Sequence, residues 1–178
     1  MAIIYNPNKK IFTLHTAHTT YQMQVDTLGY LLHLYYGEKT NSSMDYVLTY
    51  ADRGFSGNPY AAGMDRTYSL DALPQEYPSL GTGDYRNIAL NIKNEKGVES
   101  ADLLFKSYEI RSGKYQLQGL PAVWADENEA QTLEIVLADE NAQVEVHLLY
   151  GVLEETDIIT RSVRIKNMGT GQITIEKA

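Results

Sequence analysis

Thr20-Tyr21-Gln22-Met23-Gln24-Val25 alternates polar and apolar side chains one for one. Successive side chains of an extended backbone point to opposite faces, so this period of two is the mark of a strand with one buried face. Gln143-Val144-Glu145-Val146-His147-Leu148 repeats it, as does the stretch in which Ile159, Val163 and Ile165 are interleaved with Thr160, Ser162, Arg164 and Lys166. Ile173 and Ile175 flank Thr174, and Asn167-Met168-Gly169-Thr170-Gly171 reads as a turn, so the last two segments are expected to form a hairpin. Further strands are expected over Lys10 to Thr16, Tyr30 to Tyr36, Tyr46 to Ala51, Asn87 to Lys93, Leu103 to Arg111, Lys114 to Gln118 and Thr132 to Leu137.

Helical periodicity is weak throughout; only Asp126 to Ala130 could form a single turn. Short strands punctuated by turns predict an all-β protein, an antiparallel β-sandwich. At 178 residues with 43% hydrophobic and 21% charged side chains, the chain can fold as one domain with a good core.

The formal net charge of -8 argues against nucleic acid and against an anionic membrane surface, since either needs a basic footprint. There is no cysteine, which removes disulfides, thiolate metal sites and a cysteine nucleophile. The start, Met1 to Pro7, has no basic leader followed by an apolar run, and no stretch approaches the roughly 20 apolar residues that span a bilayer. These features point to the cytoplasm.

One region breaks the strand pattern. From Asp52 to Asp84 the chain carries Gly54, Gly57, Pro59, Gly63, Pro74, Pro78, Gly81 and Gly83, with Phe55, Tyr60, Tyr68 and Tyr77 among them. So long an irregular loop in a compact domain is more often functional or interface-forming than idle. Asp52, Arg53, Asp65 and Arg66 add fixed donors and acceptors to its aromatic faces, a combination that suits a sugar. Tyrosine and arginine are also enriched in interface cores, so an oligomer contact accounts for the same residues equally well.

Other chemistry is thin. His15 and His18 are the one close histidine pair, but the strand ends between them and zinc needs more ligands, so packing or exposed histidines are the better reading and no metal is expected. Gly81-Thr82-Gly83-Asp84-Tyr85-Arg86 lacks the third glycine and the following helix of a phosphate loop. The runs Asp126-Glu127-Asn128-Glu129 and Glu154-Glu155-Thr156-Asp157 read as solvated faces. No serine sits in a Gly-x-Ser-x-Gly elbow, and no self-standing catalytic motif is present.

The run Ala51-Asp52-Arg53-Gly54-Phe55-Ser56-Gly57-Asn58-Pro59-Tyr60, followed by Asp65-Arg66-Thr67-Tyr68-Ser69-Leu70-Asp71 and Leu73-Pro74-Gln75-Glu76-Tyr77-Pro78, resembles the N-terminal domain of glycoside hydrolase family 36 α-galactosidases. Gly81 to Arg86, Leu32-His33-Leu34-Tyr35-Tyr36-Gly37 and Asp157-Ile158-Ile159-Thr160-Arg161-Ser162 belong to the same signature, and the likeness extends over essentially the whole chain. The resemblance implies a β-supersandwich domain, followed in the family by a (β/α)₈ catalytic barrel and a small C-terminal sheet. Residues 1–178 would be the first part of that supersandwich, with barrel and C-terminal domain absent and with strand edges left uncovered.

It further implies retaining hydrolysis of terminal α-galactosides such as melibiose and raffinose by two barrel aspartates about 5–5.5 Å apart. No catalytic residue would then lie in this chain, and no cofactor is expected. Family members form tetramers in which the long loop helps close a neighbour's sugar pocket. Carried onto matching positions, Asp52 and Arg66 become the leading substrate contacts, with Arg53 and Tyr60 behind them. An independent carbohydrate-binding module and a purely structural oligomerisation domain are the alternatives.

Overall fold

The computed structural model describes residues 2–54, 57–81 and 83–178; Phe55 of the loop aromatics, and Ser56 and Thr82 of the signature, lie outside the described residues. The period-two segments are strands. In chain order they are β1 (Ile3–Asn6), β2 (Ile11–His15), β3 (Thr19–Val25), β4 (Leu31–Glu38), β5 (Asn91–Asn94), β6 (Leu104–Ser112), β7 (Ala130–Asp139), β8 (Val144–Leu153), β9 (Ile158–Asn167) and β10 (Ile173–Lys177). Two antiparallel four-stranded sheets, β1-β2-β3-β4 and β6-β7-β8-β9, are joined by a two-stranded ribbon of β5 and β10. No helix among the described residues is long and apolar enough to cross a membrane.

The alternation dictates how the sheets meet. Phe12, Leu14, Met23 and Val25 from the first sheet and Leu133, Ile135, Leu137, Val146, Leu148 and Tyr150 from the second form one buried cluster. Each large side chain so buried contributes about 1.5–3 kcal/mol. At one edge the stack continues through aromatic rings: Phe12 lies 4.6 Å from Tyr5 and 5.0 Å from Tyr108, centroid to centroid.

Three expectations are corrected. β10 does not fold back on β9 but pairs antiparallel with β5, Ile173 opposite Asn94. The turn is real, with Asn167 Oδ1 accepting from Gly169 N (3.0 Å) and Asn167 Nδ2 donating to Gly171 O (2.7 Å). A turn fixes a reversal, however, not the edge that receives the chain. Tyr46 to Ala51 and Lys114 to Gln118 are not strands: the first begins in a 3₁₀ turn over Asp45–Val47, and in the second Lys114 and Tyr115 are buried as loop cover beyond the end of β6. Finally, Glu145 and His147 are buried rather than solvated. β8 is an interior strand, and its polar face is roofed by neighbours: Lys106 Nζ lies 2.6 Å from Glu145, and Glu134 bridges His147 Nδ1 (2.7 Å) and Arg111 Nη2 (3.0 Å).

Leu31 and Leu32 point to opposite faces of β4. Leu31 enters the main core, whereas Leu32 joins Tyr30, Tyr68, Leu70 and Leu73 in a second cluster. The excursion between β4 and β5, residues 39–90, is therefore longer than the sequence pattern indicated. It lies back across the other face of the first sheet and covers it.

Candidate functional site

The excursion is framed before it is functional. Gly57 and Gly83 bring its two limbs together so closely that a Cβ on Gly57 would meet Gly83 Cα at 2.7 Å. Asn58 Nδ2 donates to Asp65 O (2.6 Å) and Tyr68 O (2.8 Å), while its Oδ1 accepts from Tyr60 N (2.7 Å). Arg86 clamps the return limb, donating to Leu70 O (3.0 Å), Leu73 O (2.6 Å) and both oxygens of Asp84 (2.9 and 2.8 Å). Burial works to raise the Asp84 carboxyl, but the Arg86 guanidinium and backbone N–H outweigh it, and the group sits below its ordinary value.

On this frame stand the four residues singled out from the sequence. Asp52 and Arg66 are brought together: Arg66 Nε is 3.3 Å from Asp52 Oδ2, with the side chains 66% and 51% exposed. Asp52 Oδ1 also accepts from Gly54 N (2.7 Å), an Asx turn that orients the carboxylate. An exposed pair of this kind holds itself together with at most about 1 kcal/mol, so a ligand hydroxyl can replace either half. Arg53 is exposed beside it. Tyr60 is placed elsewhere, edge-on against Tyr68 with centroids 5.8 Å apart, where it seals the second cluster.

A second constellation gave no signal in the sequence. Glu76, its side chain 2% exposed, reaches from the return limb into the gap between the sheets. Its carboxylate accepts from Tyr21 Oη (2.7 Å), Tyr150 Oη (2.8 Å) and Arg161 Nη2 (2.7 Å), and His33 Nδ1 lies 3.2 Å away. The limb meets β4 through a single antiparallel bridge, Leu32 opposite Gln75, with His33 N donating to Pro74 O (2.7 Å) and Glu76 N to Leu31 O (2.9 Å). Burial, then the Glu76 charge, push the Tyr21 and Tyr150 hydroxyls well above their usual range, so both stay protonated donors. Burial works against the Arg161 charge, but Glu76 more than offsets it. Its four partners come from β3, β4, β8 and β9, so no local pattern along the chain marks Glu76.

Of the histidine pair, His15 is buried in packing and His18 is exposed. His15 Nδ1 lies 2.9 Å from Thr20 Oγ1, and His18 Nδ1 lies 2.7 Å from Asp157 Oδ2. Among the described residues no group of three or more His, Asp or Glu side chains is arranged to hold a metal ion. A cavity of about 780 Å³ is lined mainly by residues of the β6–β7 and β8–β9 connections and the adjoining ends of β7 and β8, and shares none with the Asp52–Arg66 tip.

The glycosyl hydrolase family 36 N-terminal domain profile matches residues 29–178. This chain belongs to that family. As a family 36 N-terminal domain it is 96% identical over 178 residues to the bifunctional α-galactosidase/sucrose kinase AgaSK of Mediterraneibacter gnavus, spanning 100% of this chain and 19% of that protein. It is 41% identical over 180 residues to α-galactosidase AgaA of Geobacillus stearothermophilus, 24% of which it covers. Among solved structures it superposes on the galactosidase domain of AgaSK with a TM-score of 0.96, over 99% of this chain and 25% of that one. A G. stearothermophilus AgaA variant in complex with raffinose aligns with a TM-score of 0.89 at 40% identity, over 95% of this chain and 24% of that one. This family 36 domain thus spans about a fifth to a quarter of the length of these relatives.

Proposed function

We propose that the chain is the N-terminal accessory domain of a cytoplasmic α-galactosidase, one that cleaves terminal α-galactosides such as melibiose and raffinose with retention. The two carboxylates that such chemistry requires, one nucleophile and one acid/base, belong on this reading to a barrel outside residues 1–178. They suffice without metal or organic cofactor, and the domain alone is inactive. Its part is to support a tetramer and to shape the neighbouring subunit's sugar pocket with the 39–90 excursion.

The observation that carries the reading is the Asp52–Arg66 pair, exposed at the tip of a frame locked by Asn58 and Arg86. Asp52 can only accept hydrogen bonds and Arg66 can only donate them. Together they match sugar hydroxyls, each donor and acceptor at once, which would otherwise be buried unpaired as the pocket closes. Because the frame is already ordered, little conformational entropy is lost when the sugar arrives. Arg53 extends the donor surface, and Tyr60 acts through Tyr68 to hold the tip.

The test is Arg66→Ala in the full-length enzyme. A charged hydrogen bond is worth about 1.5–3 kcal/mol, so kcat/KM for raffinose should fall roughly 10- to 100-fold with the tetramer intact. Unchanged kinetics in an intact tetramer would remove the sugar contact; dissociation of the tetramer would make the tip an interface instead.

A further inference from the structure

The β6–β7 connection is the second long excursion of the chain. Its neck is closed: Gly113 N donates to Ala130 O (2.8 Å), Tyr115 N donates to Thr132 Oγ1 (2.9 Å), and that hydroxyl donates on to Gly113 O (2.7 Å). Lys114 and Tyr115 are buried at the neck, the ammonium 3.5 Å above the tyrosine ring. At the far end Asp126 and Glu129 close a turn, with Glu129 N donating to Asp126 O (3.0 Å) and Asp126 N to Glu129 Oε2 (2.9 Å).

Between these fixed ends runs Leu120-Pro121-Ala122-Val123-Trp124, exposed at every position, with Leu120 at 66% and Trp124, the sole tryptophan, at 70%. Five consecutive apolar residues on a tied loop form a ridge of the kind that soluble monomers avoid unless something covers it. Beside the ridge lies the 780 Å³ cavity, whose lining includes Trp124, Glu127, Glu129, Glu154 and Glu155 and no lysine, arginine or histidine.

We infer that the Leu120–Trp124 ridge and the acidic notch beside it are the seat of another part of the parent polypeptide, which docks an apolar surface on the ridge and places an arginine or lysine in the notch. This rests on the reading of the chain as one domain of a longer enzyme. The length is available, since the chain covers only 19% and 24% of the relatives it matches. The charge selects the occupant. A second copy meeting this one through the same patch would set Glu127, Glu129, Glu154 and Glu155 against their own counterparts, since that lining holds no lysine, arginine or histidine.

Two variants test it in the full-length enzyme and in the 178-residue chain: Leu120→Ser with Trp124→Ser, and Glu127→Lys with Glu155→Lys. In the full-length enzyme each should lower the melting midpoint of this domain by about 5 °C or more and split it from the remaining calorimetric transition. In the 178-residue chain neither should move the midpoint by more than about 2 °C, because no core contact is lost. An unmoved, unsplit transition in the full-length enzyme overturns the proposal. So does sedimentation of the 178-residue chain as a dimer that Trp124→Ser dissociates. Titrating raffinose into the 178-residue chain gives the third refuting result: a shift in Trp124 emission would make the notch a sugar site. The readouts separate this proposal from the functional one, since the tip is judged by the kcat/KM of Arg66→Ala and the ridge by melting cooperativity.

Discussion

Glu76→Leu should be among the most damaging single substitutions in the chain, and its effect should depend on Tyr150 in a way that changes sign. Removing the carboxylate leaves Tyr21 Oη, Tyr150 Oη and Arg161 Nη2 without their acceptor. Arg161 is 48% exposed and can turn to water, so most of its loss is recovered. The two tyrosines are buried and cannot, and each orphaned hydroxyl costs about 1–3 kcal/mol. The expected destabilisation is about 3–5 kcal/mol, within the range for breaking a buried pair. For a domain of this size that is a fall in Tm of about 6–20 °C.

Tyr150→Phe in the parent background should cost about 1.5–3 kcal/mol, because it removes one charge-assisted bond and leaves the others. In the Glu76→Leu background the same change deletes an orphaned hydroxyl and should recover about 1–3 kcal/mol. The coupling is then at least about 2.5 kcal/mol. Urea unfolding of the four variants, followed by far-ultraviolet circular dichroism because the sole tryptophan is already exposed, measures it at constant slope. If Tyr150→Phe costs the same in both backgrounds, Glu76 does not organise this cluster and the account of the anchored limb is wrong.

Asp157 is held at about 2 by hydrogen bonds from His18 and Thr16, below an ordinary value of 3.8. Its folded value is the lower one, so its contribution to stability is complete above about pH 4 and disappears as pH falls from about 4 to about 2. Asp157→Asn, which tolerates the local φ of 55°, should therefore lower the urea midpoint at pH 5 but leave it level with the parent chain near pH 2. A gap of equal size at both values would sever the link to His18. Gly57→Ala forces a Cβ against Gly83 Cα and should cost about 1–3 kcal/mol while opening the base of the excursion. Limited proteolysis should then cut within 39–90 several times faster, and an unchanged cleavage rate would mean that the two limbs are not held by this contact.

The strands that could be read were those whose own residues carry the pattern. Tyr21, Met23 and Val25 in β3, and Val144, Val146 and Leu148 in β8, alternate because side-chain direction along an extended chain is set by local covalent geometry. β1 was not anticipated: it is a four-residue strand, Ile-Ile-Tyr-Asn, too short to display a period. Tyr46 to Ala51 and Lys114 to Gln118 have strand-like composition, but Tyr46 and Tyr50 stay exposed outside any sheet, and Lys114 and Tyr115 are buried as loop cover, so composition alone does not mark a pleat. Of the candidate site, Asp52 and Arg66 were expected from the resemblance that the loop carries, and the fold sets Arg66 Nε 3.3 Å from Asp52 Oδ2. Tyr60 was named for its ring, and only the fold put that ring against Tyr68.

The sequence by itself determined the all-β class, the place where the pattern breaks and the exclusion of thiol chemistry, because composition and side-chain period are properties of neighbours along the chain. Only the tertiary structure decided that β10 leaves β9 for β5, that Glu145 and His147 are roofed over, and that Glu76 collects donors from residues 55 and 74 positions away in Tyr21 and Tyr150. Those outcomes depend on which edge of which sheet receives the returning chain. That choice is made by burial and loop closure over long sequence separations, which no local period records.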